Sequence, residues 1–291
     1  MLMSPRFTLK TATAVLAAAA LCLLACDSGG PPAVRTGTPP YYWQSAKDAY
    51  AKGDFPKAID WLDKITKLNK NEYSERAWAF RMLLGSGLIT GYKELAENYE
   101  YGQRSSKDNP TPFIKKVTEY RGAASRMALQ YGELYAEYDK AAGSATETVI
   151  DFPFPAAGTT TKPAQLGEIA QGRVPNENAV DAAQSGMIAR GVVLSICETA
   201  GAKEDAAKGR AALQTPPLKV PRGAFEWVMA KTLFAAAQLH NGKTQGNPAV
   251  QEFLVKQALK AMASVTDTGK EAKELKANLD KELKDAVKRK G

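Results

Sequence analysis

Apolar residues recur at intervals of three and four along most of the chain from residue 41 onward, whereas runs of alternating apolar and polar residues are scarce. Steps of three and four place side chains on one face of a helix, and strict alternation would indicate a strand. We find no convincing strand. The pattern therefore predicts an all-α fold of about 8–10 helices between residues 41 and 291.

The most regular apolar pattern lies in a predicted helix over residues 112–140, which Thr111-Pro112 would open as cap and first position. Its apolar residues are separated by alternating steps of four and three: Phe113, Val117, Tyr120, Ala124, Met127, Tyr131, Leu134 and Tyr138. This heptad spacing keeps one seam towards a neighbouring helix. We favour a long core helix within its own domain over pairing with a partner protein, because about three heptads are the lower limit for a coiled coil.

Two shorter predicted helices precede it, joined by a turn at Gly53-Asp54, with Pro56 in the first turn of the second. Their spacing resembles a tetratricopeptide repeat at Tyr42, Ala46, Ala58, Leu62 and Ile65, whereas Ser45, Ala49 and Lys70 depart from the family pattern. An echo one period later predicts helices near 72–84 and 91–103. The resemblance implies that residues 41–104 form stacked helix pairs, within a tetratricopeptide-like α-α superhelix or an irregular helical array.

A long loop is predicted over residues 141–176, because Gly, Thr and Pro residues interrupt every periodic pattern there. Phe152 and Phe154 lie within it and need burial. Two hypotheses stay open: the two rings hold the loop over the core, or the loop acts as a lid or a partner-contacting arm.

The C-terminal part is predicted to hold further helices at 177–199, 203–213, 224–239, 248–265 and 268–290, with a Pro-containing loop at 214–221. The helix over 224–239 is apolar on most sides, which is typical of a central helix. The last helix is rich in Lys and Glu outside a narrow apolar stripe, which is typical of a solvated outer helix.

Residues 1–25 have the composition of an export signal. Two basic residues precede a mostly apolar run that ends at Leu24, and this run is too short to span a bilayer comfortably. Its end, Leu23-Leu24-Ala25-Cys26, resembles the lipobox of bacterial lipoproteins. The resemblance implies that the chain is cut before Cys26 and that this cysteine is lipidated.

Lipid attachment would give a protein that is anchored to a membrane without spanning it. Residues 26–40, rich in Gly, Pro, Ser and Thr, are predicted to be the lipidated cysteine and a flexible tether with a reach of about 20 Å. The expected location is the bacterial cell envelope, facing the periplasm, on either the inner or the outer membrane.

The chain is modestly basic, with a formal net charge of +8 at pH 7. Removal of Arg6 and Lys10 with the signal lowers this charge by two, to +6. The charge is spread along the sequence, so no nucleic-acid partner is predicted. Loss of Cys22 and lipidation of Cys26 leave Cys197 without a partner for an intrachain disulfide, in an apolar run that is typical of a buried, inert thiol.

No catalytic or metal-binding motif is present in the sequence. The only histidine, His240, lies at the predicted end of a helix, where its charge would suit the helix dipole. Cys197 and His240 are the one conceivable nucleophile–base pair, and neither lies in a nucleophile motif. The chain is therefore predicted not to be an enzyme and to need no cofactor or metal.

Binding of other proteins is the favoured function. In tetratricopeptide folds the first helix of each pair lines a concave groove, and Trp43, Lys47 and Tyr50, spaced i, i+4 and i+7, match that face. The alternative is that the two rings pack on the next helix. Phe152 and Phe154 are further candidate partner-binding residues.

The leading hypothesis is therefore a membrane-anchored envelope lipoprotein that acts as a non-catalytic scaffold for other envelope proteins. The alternative is a periplasmic solute-binding accessory lipoprotein, since lipoprotein subunits of some tripartite transporters are similar in layout. A deep apolar cavity covered by residues 151–163 would favour binding of a small molecule. A shallow open groove through Trp43 would favour the scaffold.

Overall fold

Ten helices and one two-stranded sheet form the part of the chain that the structure describes. The structure is a computed structural model and describes residues 35–107, 109–156, 158–174, 176–214, 217–242, 246–266 and 269–290. The predicted signal peptide and Cys26 lie outside these residues. Helices make up 72% of the structure, so the predicted all-α class is confirmed.

The helices are, in chain order, α1 (Pro39–Ala51), α2 (Phe55–Thr66), α3 (Ser74–Ser105), α4 (Thr111–Ala142), α5 (Gln165–Ala170), α6 (Glu177–Thr199), α7 (Ala206–Ala212), α8 (Arg222–Gln238), α9 (Pro248–Met262) and α10 (Lys270–Lys290). Strands β1 (Glu147–Ile150) and β2 (Leu218–Pro221) pair antiparallel, with Glu147 opposite Pro221. The expectation of no strand is therefore wrong in two segments predicted as loops. Four-residue strands are too short to show a clear alternation.

The first helix pair, α1 and α2, follows the predicted turn. Gly53 has a φ of +76°, which a glycine adopts without steric cost. The Asp54 side chain accepts a hydrogen bond from a backbone N–H in the first turn of α2 and so caps that helix. Ala46 and Ala58 are fully buried in the interior of the pair. α1 begins at Pro39, two residues inside the predicted tether.

α3 corrects the prediction of two helices near 72–84 and 91–103, because it is one continuous helix of 32 residues. Two of its glycines, Gly87 and Gly91, lie where α6 crosses it. A Cβ atom on Gly87 would come within 2.4 Å of the Cα atom of Val192, and one on Gly191 within 2.2 Å of the Gly87 carbonyl oxygen. The glycines therefore allow close packing of two helices and do not form a turn.

α4 matches the predicted helix 112–140 to within two residues at each end. Of the eight seam residues, Met127 alone is only partly buried, and the others are buried. The helix packs against α3, α8 and α9 of the same chain. The prediction of a long core helix is confirmed.

Residues 151–156, which we call the strap, cross the core between β1 and α5. The Phe152 ring stacks on the Phe80 ring with centroids 3.8 Å apart and an interplanar angle of 7°. Asp151 forms an ion pair with Arg76 at 2.6 Å. Phe152 and Phe154 are both buried and so hold the strap over the core. This agrees with the first of the two hypotheses for this loop. The predicted loop 141–176 is too long, because it contains β1 and α5.

The C-terminal helix α10 covers most of the predicted range 268–290 and packs against α9. Its buried side is the narrow stripe that includes Ala272, Leu275 and Leu279. In the part of the chain that the structure describes, none of the helices combines the length and the apolar character that crossing a membrane requires.

Candidate functional site

The predicted binding residues of α1 lie mainly in the core. Trp43 is 7% exposed and Tyr50 is 4% exposed, and their rings lie 6.0 and 5.1 Å from the Phe80 ring. The Tyr50 hydroxyl donates a hydrogen bond to the carbonyl of Pro153 at 3.0 Å. Only Lys47 is partly exposed. Packing on the next helices, the alternative interpretation, is therefore what the structure shows for the two rings.

Phe152 and Phe154 are also buried, at 2% and 8% exposure. The Phe154 ring packs close to Gly158 and Gly209, where added Cβ atoms would lie 2.6 and 3.1 Å from it. In the described residues the two rings thus occupy the space beneath the strap, where the solute-binding hypothesis expects a cavity.

Cys197 and His240 lie in separate surroundings. Cys197 on α6 is fully buried next to Asp205, and burial raises the pKa of its thiol to about 11. His240 follows the end of α8, bonds to the backbone of Ser125, and its pKa is lowered by burial. Its imidazole is therefore neutral at pH 7 and does not make the predicted charge interaction with a helix dipole.

An open groove runs between α2 and α4, with α3 as its floor, and we call it the acidic groove. Its volume is about 360 Å³. Four carboxylates line its walls, Asp60 and Asp63 on α2 and Glu133 and Glu137 on α4. Spacings of three and four residues place each pair on one helix face, so the two faces oppose each other across α3.

Three of these four carboxylates form no close contact with a cation of the described residues, although the charges of Asp60 and Glu137 act on Arg81. The side chains of Asp60, Glu133 and Glu137 are exposed and make no hydrogen bond or ion pair with any described residue. Asp63 is paired twice, with Arg81 at 2.8 Å and with Lys67 at 2.6 Å. Two cations against four carboxylates leave the groove with a net charge of −2 on a basic protein.

Arg81 forms the polar part of the floor. It is 8% exposed, and its guanidinium lies 5.2 Å from the centroid of the Trp78 ring. The Nη1 atom donates to the Thr66 hydroxyl at 2.5 Å, whereas the Nε–H has no acceptor among the described residues. Burial lowers the pKa of Arg81, and the carboxylates of Asp63 and Glu137 partly oppose this shift. A buried donor without an acceptor costs free energy unless a bound group supplies one.

The rest of the floor and the wall bases are apolar, formed by Ile59, Met127, Leu134, Gly85 and the ring of Tyr131. The groove thus combines an apolar strip, one unused buried donor and three unpaired carboxylates. These groups offer apolar contact, charge and a hydrogen-bond donor, and the residues that line the groove include no nucleophile–base pair.

A second pocket, which we call the hairpin pocket, lies beside β1 with Trp78, Tyr138 and Arg222 in its lining and a volume of about 210 Å³. Arg222 donates to Glu226 at 3.2 Å and to Asp139 at 2.9 Å. Its charge is therefore already paired, so the pocket offers fewer free groups than the acidic groove.

Beneath that pocket, Glu226 is fully buried. The Tyr135 hydroxyl donates to its carboxylate at 2.9 Å. Burial raises the pKa of Glu226, although its bonds to Tyr135 and Arg222 act in the opposite direction. This network joins α4 to α8 and has a structural role.

Among the described residues, no group of three or more His, Cys, Asp or Glu side chains is placed to hold a metal ion. The carboxylates of the acidic groove are therefore spread along its walls and are not gathered at one point. Comparisons with protein-family models, with curated proteins and with solved structures find no match for this chain.

The acidic groove was not predicted from the sequence. Glu133 and Glu137, four residues apart on a predicted helix without a basic residue between them, were the one visible signal. Their position opposite Asp60 depends on how α2 and α4 pack on α3, which no local pattern specifies.

Proposed function

We propose that this protein is a membrane-anchored envelope lipoprotein that acts as a non-catalytic scaffold and binds a partner protein in the acidic groove. Cys26 carries the lipid, the residues after it form the tether, and the helical domain binds. The lipobox resemblance supports the anchor. The partner is an envelope protein, on the inner or the outer membrane, and no nucleic acid is involved.

The first part of the domain is, in this proposal, tetratricopeptide-like. The Gly53 turn and the buried small residues Ala46 and Ala58 support this for α1 and α2. α3 and α4 are each 32 residues long, so they extend beyond a repeat of about 34 residues for two helices. The domain is then an irregular helical array that begins with one repeat-like pair.

The acidic groove is the observation that carries the proposal. Like charges four residues apart on a helix, as at Glu133 and Glu137, destabilise it by about 0.2–0.5 kcal/mol. Neither glutamate forms a hydrogen bond or an ion pair with a described residue, although the charge of Glu137 acts on Arg81, so both remain available to a partner. Rigid helices on three sides hold the groove open, so a partner would bind without a large ordering cost.

Binding of a small molecule is the second candidate, supported by the hairpin pocket between the rings of Trp78 and Tyr138. Its volume of about 210 Å³ is below the range of about 300–1,000 Å³ that ligand pockets usually have. We therefore rank it second.

Photo-crosslinking in cells tests the scaffold proposal. A photoreactive residue replaces Gln130 in the acidic groove of the full lipidated protein, and a matched variant carries it at Lys276 on the exposed side of α10. We expect a discrete protein adduct from position 130 that position 276 does not give. Identical adducts from both positions, or none from position 130, would contradict the proposal.

A further inference from the structure

We infer that the segment bound in the acidic groove is cationic, with two Lys or Arg side chains about 6 Å apart next to an apolar side chain. This inference rests on the proposed function and adds the chemistry of the partner. The charges, the spacing and the floor of the groove each support it.

The charges favour a cation. Asp60, Glu133 and Glu137 are exposed and unpaired, whereas the groove's two cations, Lys67 and Arg81, both bond to Asp63. An ammonium or guanidinium group would gain up to three new partners there. An anionic segment or an anionic lipid surface would meet the net charge of −2 and be repelled.

The spacing sets the pattern of the ligand. Glu133 and Glu137 are separated by one helical turn, about 6 Å at 1.5 Å per residue. Alternate side chains of an extended peptide project on one side at intervals of about 6.6–6.8 Å. A Lys-X-Lys sequence in extended form therefore places one cation opposite each glutamate.

The floor of the acidic groove would contact the apolar side chain and the backbone of the bound segment. Ile59, Met127 and Leu134 offer apolar contact between the charged walls. The Nε–H of Arg81, which is 8% exposed, lacks an acceptor among the described residues. A backbone carbonyl of a bound peptide is an acceptor of the kind that this donor requires.

The length of the groove limits the affinity. From Met127 to Glu137 the wall of α4 rises by about 15 Å at 1.5 Å per residue, which corresponds to about four or five residues of extended peptide at 3.3 Å per residue. So small an interface is typical of a weak, transient complex.

Fluorescence anisotropy with defined peptides tests the inference. The probe is a fluorescent, end-capped Lys-Leu-Lys-Leu-Lys peptide, and its counterpart has Glu in place of Lys. The protein is the full lipidated chain in phosphatidylcholine nanodiscs, which carry no net charge. The groove variant is Glu133→Gln with Glu137→Gln. The matched control is Asp280→Asn with Asp285→Asn, two exposed and unpaired carboxylates on α10 that change the net charge equally.

We expect the groove variant to bind the Lys peptide about three- to tenfold more weakly than the unchanged protein, since each exposed ion pair contributes modestly. The control variant should bind as the unchanged protein does. Affinity should also fall as the salt concentration rises from about 50 to 500 mM. Equal binding by both variants, or equal binding of the Glu peptide, would overturn the inference.

The two proposals can fail separately. If the adduct from position 130 forms equally in the groove variant, the scaffold stands and the cationic partner is refuted. If the Lys peptide binds as expected but position 130 gives no adduct in cells, the cationic site stands and the scaffold is refuted.

Discussion

Single residues decide how closely the helices approach each other, and Gly87 is the clearest case. Its backbone lies against the backbone of Val192, so the space that a side chain would occupy is already filled. The sequence predicted two helices here, near 72–84 and 91–103, with Gly87 in the gap between them. That prediction failed because the reason for the glycine lies on α6, at Val192, more than 100 residues away.

Replacement of Gly87 by Ala should destabilise the protein by about 1–3 kcal/mol, because the new methyl group overpacks the contact with Val192. The matched control is Gly122→Ala on α4, where the nearest atom is the end of the flexible Arg126 side chain at 3.3 Å. Relief of the glycine penalty should stabilise that variant by up to about 1 kcal/mol. Chemical denaturation measures both, and equal effects would refute the packing role of Gly87.

Among the predicted site residues, the sequence showed which side chains share a face but not which faces are free. Trp43 and Tyr50 lie on one side of α1 as predicted, and that side is covered by Phe80. Lys47 alone keeps contact with solvent. The periodicity of the sequence shows which residues share a helix face. Whether that face is exposed depends on its packing against other helices, which the sequence does not reveal.

At the scale of elements, the strap shows how a segment without regular structure can be held by packing. Phe152 lies in the stack with Phe80, and Asp151 pairs with Arg76. The sequence indicated that both phenylalanines needed burial and left open where. The sheet escaped prediction because each of its strands has only four residues.

Replacement of Phe152 by Ala should lower the free energy of unfolding by about 3–5 kcal/mol, because a fully buried ring is lost and a cavity remains. Tyr101 is 55% exposed, and its replacement by Ala should change stability by less than about 0.5 kcal/mol. Denaturant titration of both variants gives the values. A loss below about 1 kcal/mol for Phe152→Ala would show that the strap is not held by this ring.

The buried network between α4 and α8 should affect the pH dependence of stability. The pKa of Glu226 is raised above its ordinary value of 4.5 in the folded state, so the folded state keeps this proton at pH values where the unfolded state has lost it. Its contribution to stability is therefore present below pH 4.5 and declines as the pH rises through the raised pKa.

Glu226→Gln removes that titration. We expect the difference in melting temperature, unchanged protein minus variant, to fall as the pH rises from 4 to 7, with calorimetry as the measurement. A constant difference over this range would show that the carboxyl group titrates normally in the folded protein.

For the whole molecule, the sequence specified the all-α class and several helix boundaries. α4, α6 and α9 begin within one residue of their predicted starts, because Thr111-Pro112, Asn176 and Asn247-Pro248 are local signals. The arrangement of the helices, and with it the acidic groove, arises from contacts between distant segments. Patterns among neighbouring residues thus specify the fold class, whereas the binding surface depends on contacts between segments that are distant in the sequence.

The proposed lipid anchor determines where the whole molecule is located. Cys26→Ser should move the protein from the membrane fraction to the soluble fraction of the envelope, since the lipid chains would be lost. Cys197→Ser changes a buried thiol and should leave the protein in the membrane fraction. Fractionation followed by immunoblotting distinguishes the two variants, and membrane retention of Cys26→Ser would refute lipidation as the anchor.

The most direct test of the central claim measures, in living cells, the yield of the adduct formed from position 130. Three proteins are compared: the unchanged protein, Cys26→Ser, and the variant with both Glu133→Gln and Glu137→Gln. A membrane-anchored scaffold predicts one discrete adduct in the membrane fraction, reduced by Cys26→Ser and by the paired Glu133→Gln and Glu137→Gln changes. An adduct of unchanged yield in all three proteins, or none in any of them, would contradict the account.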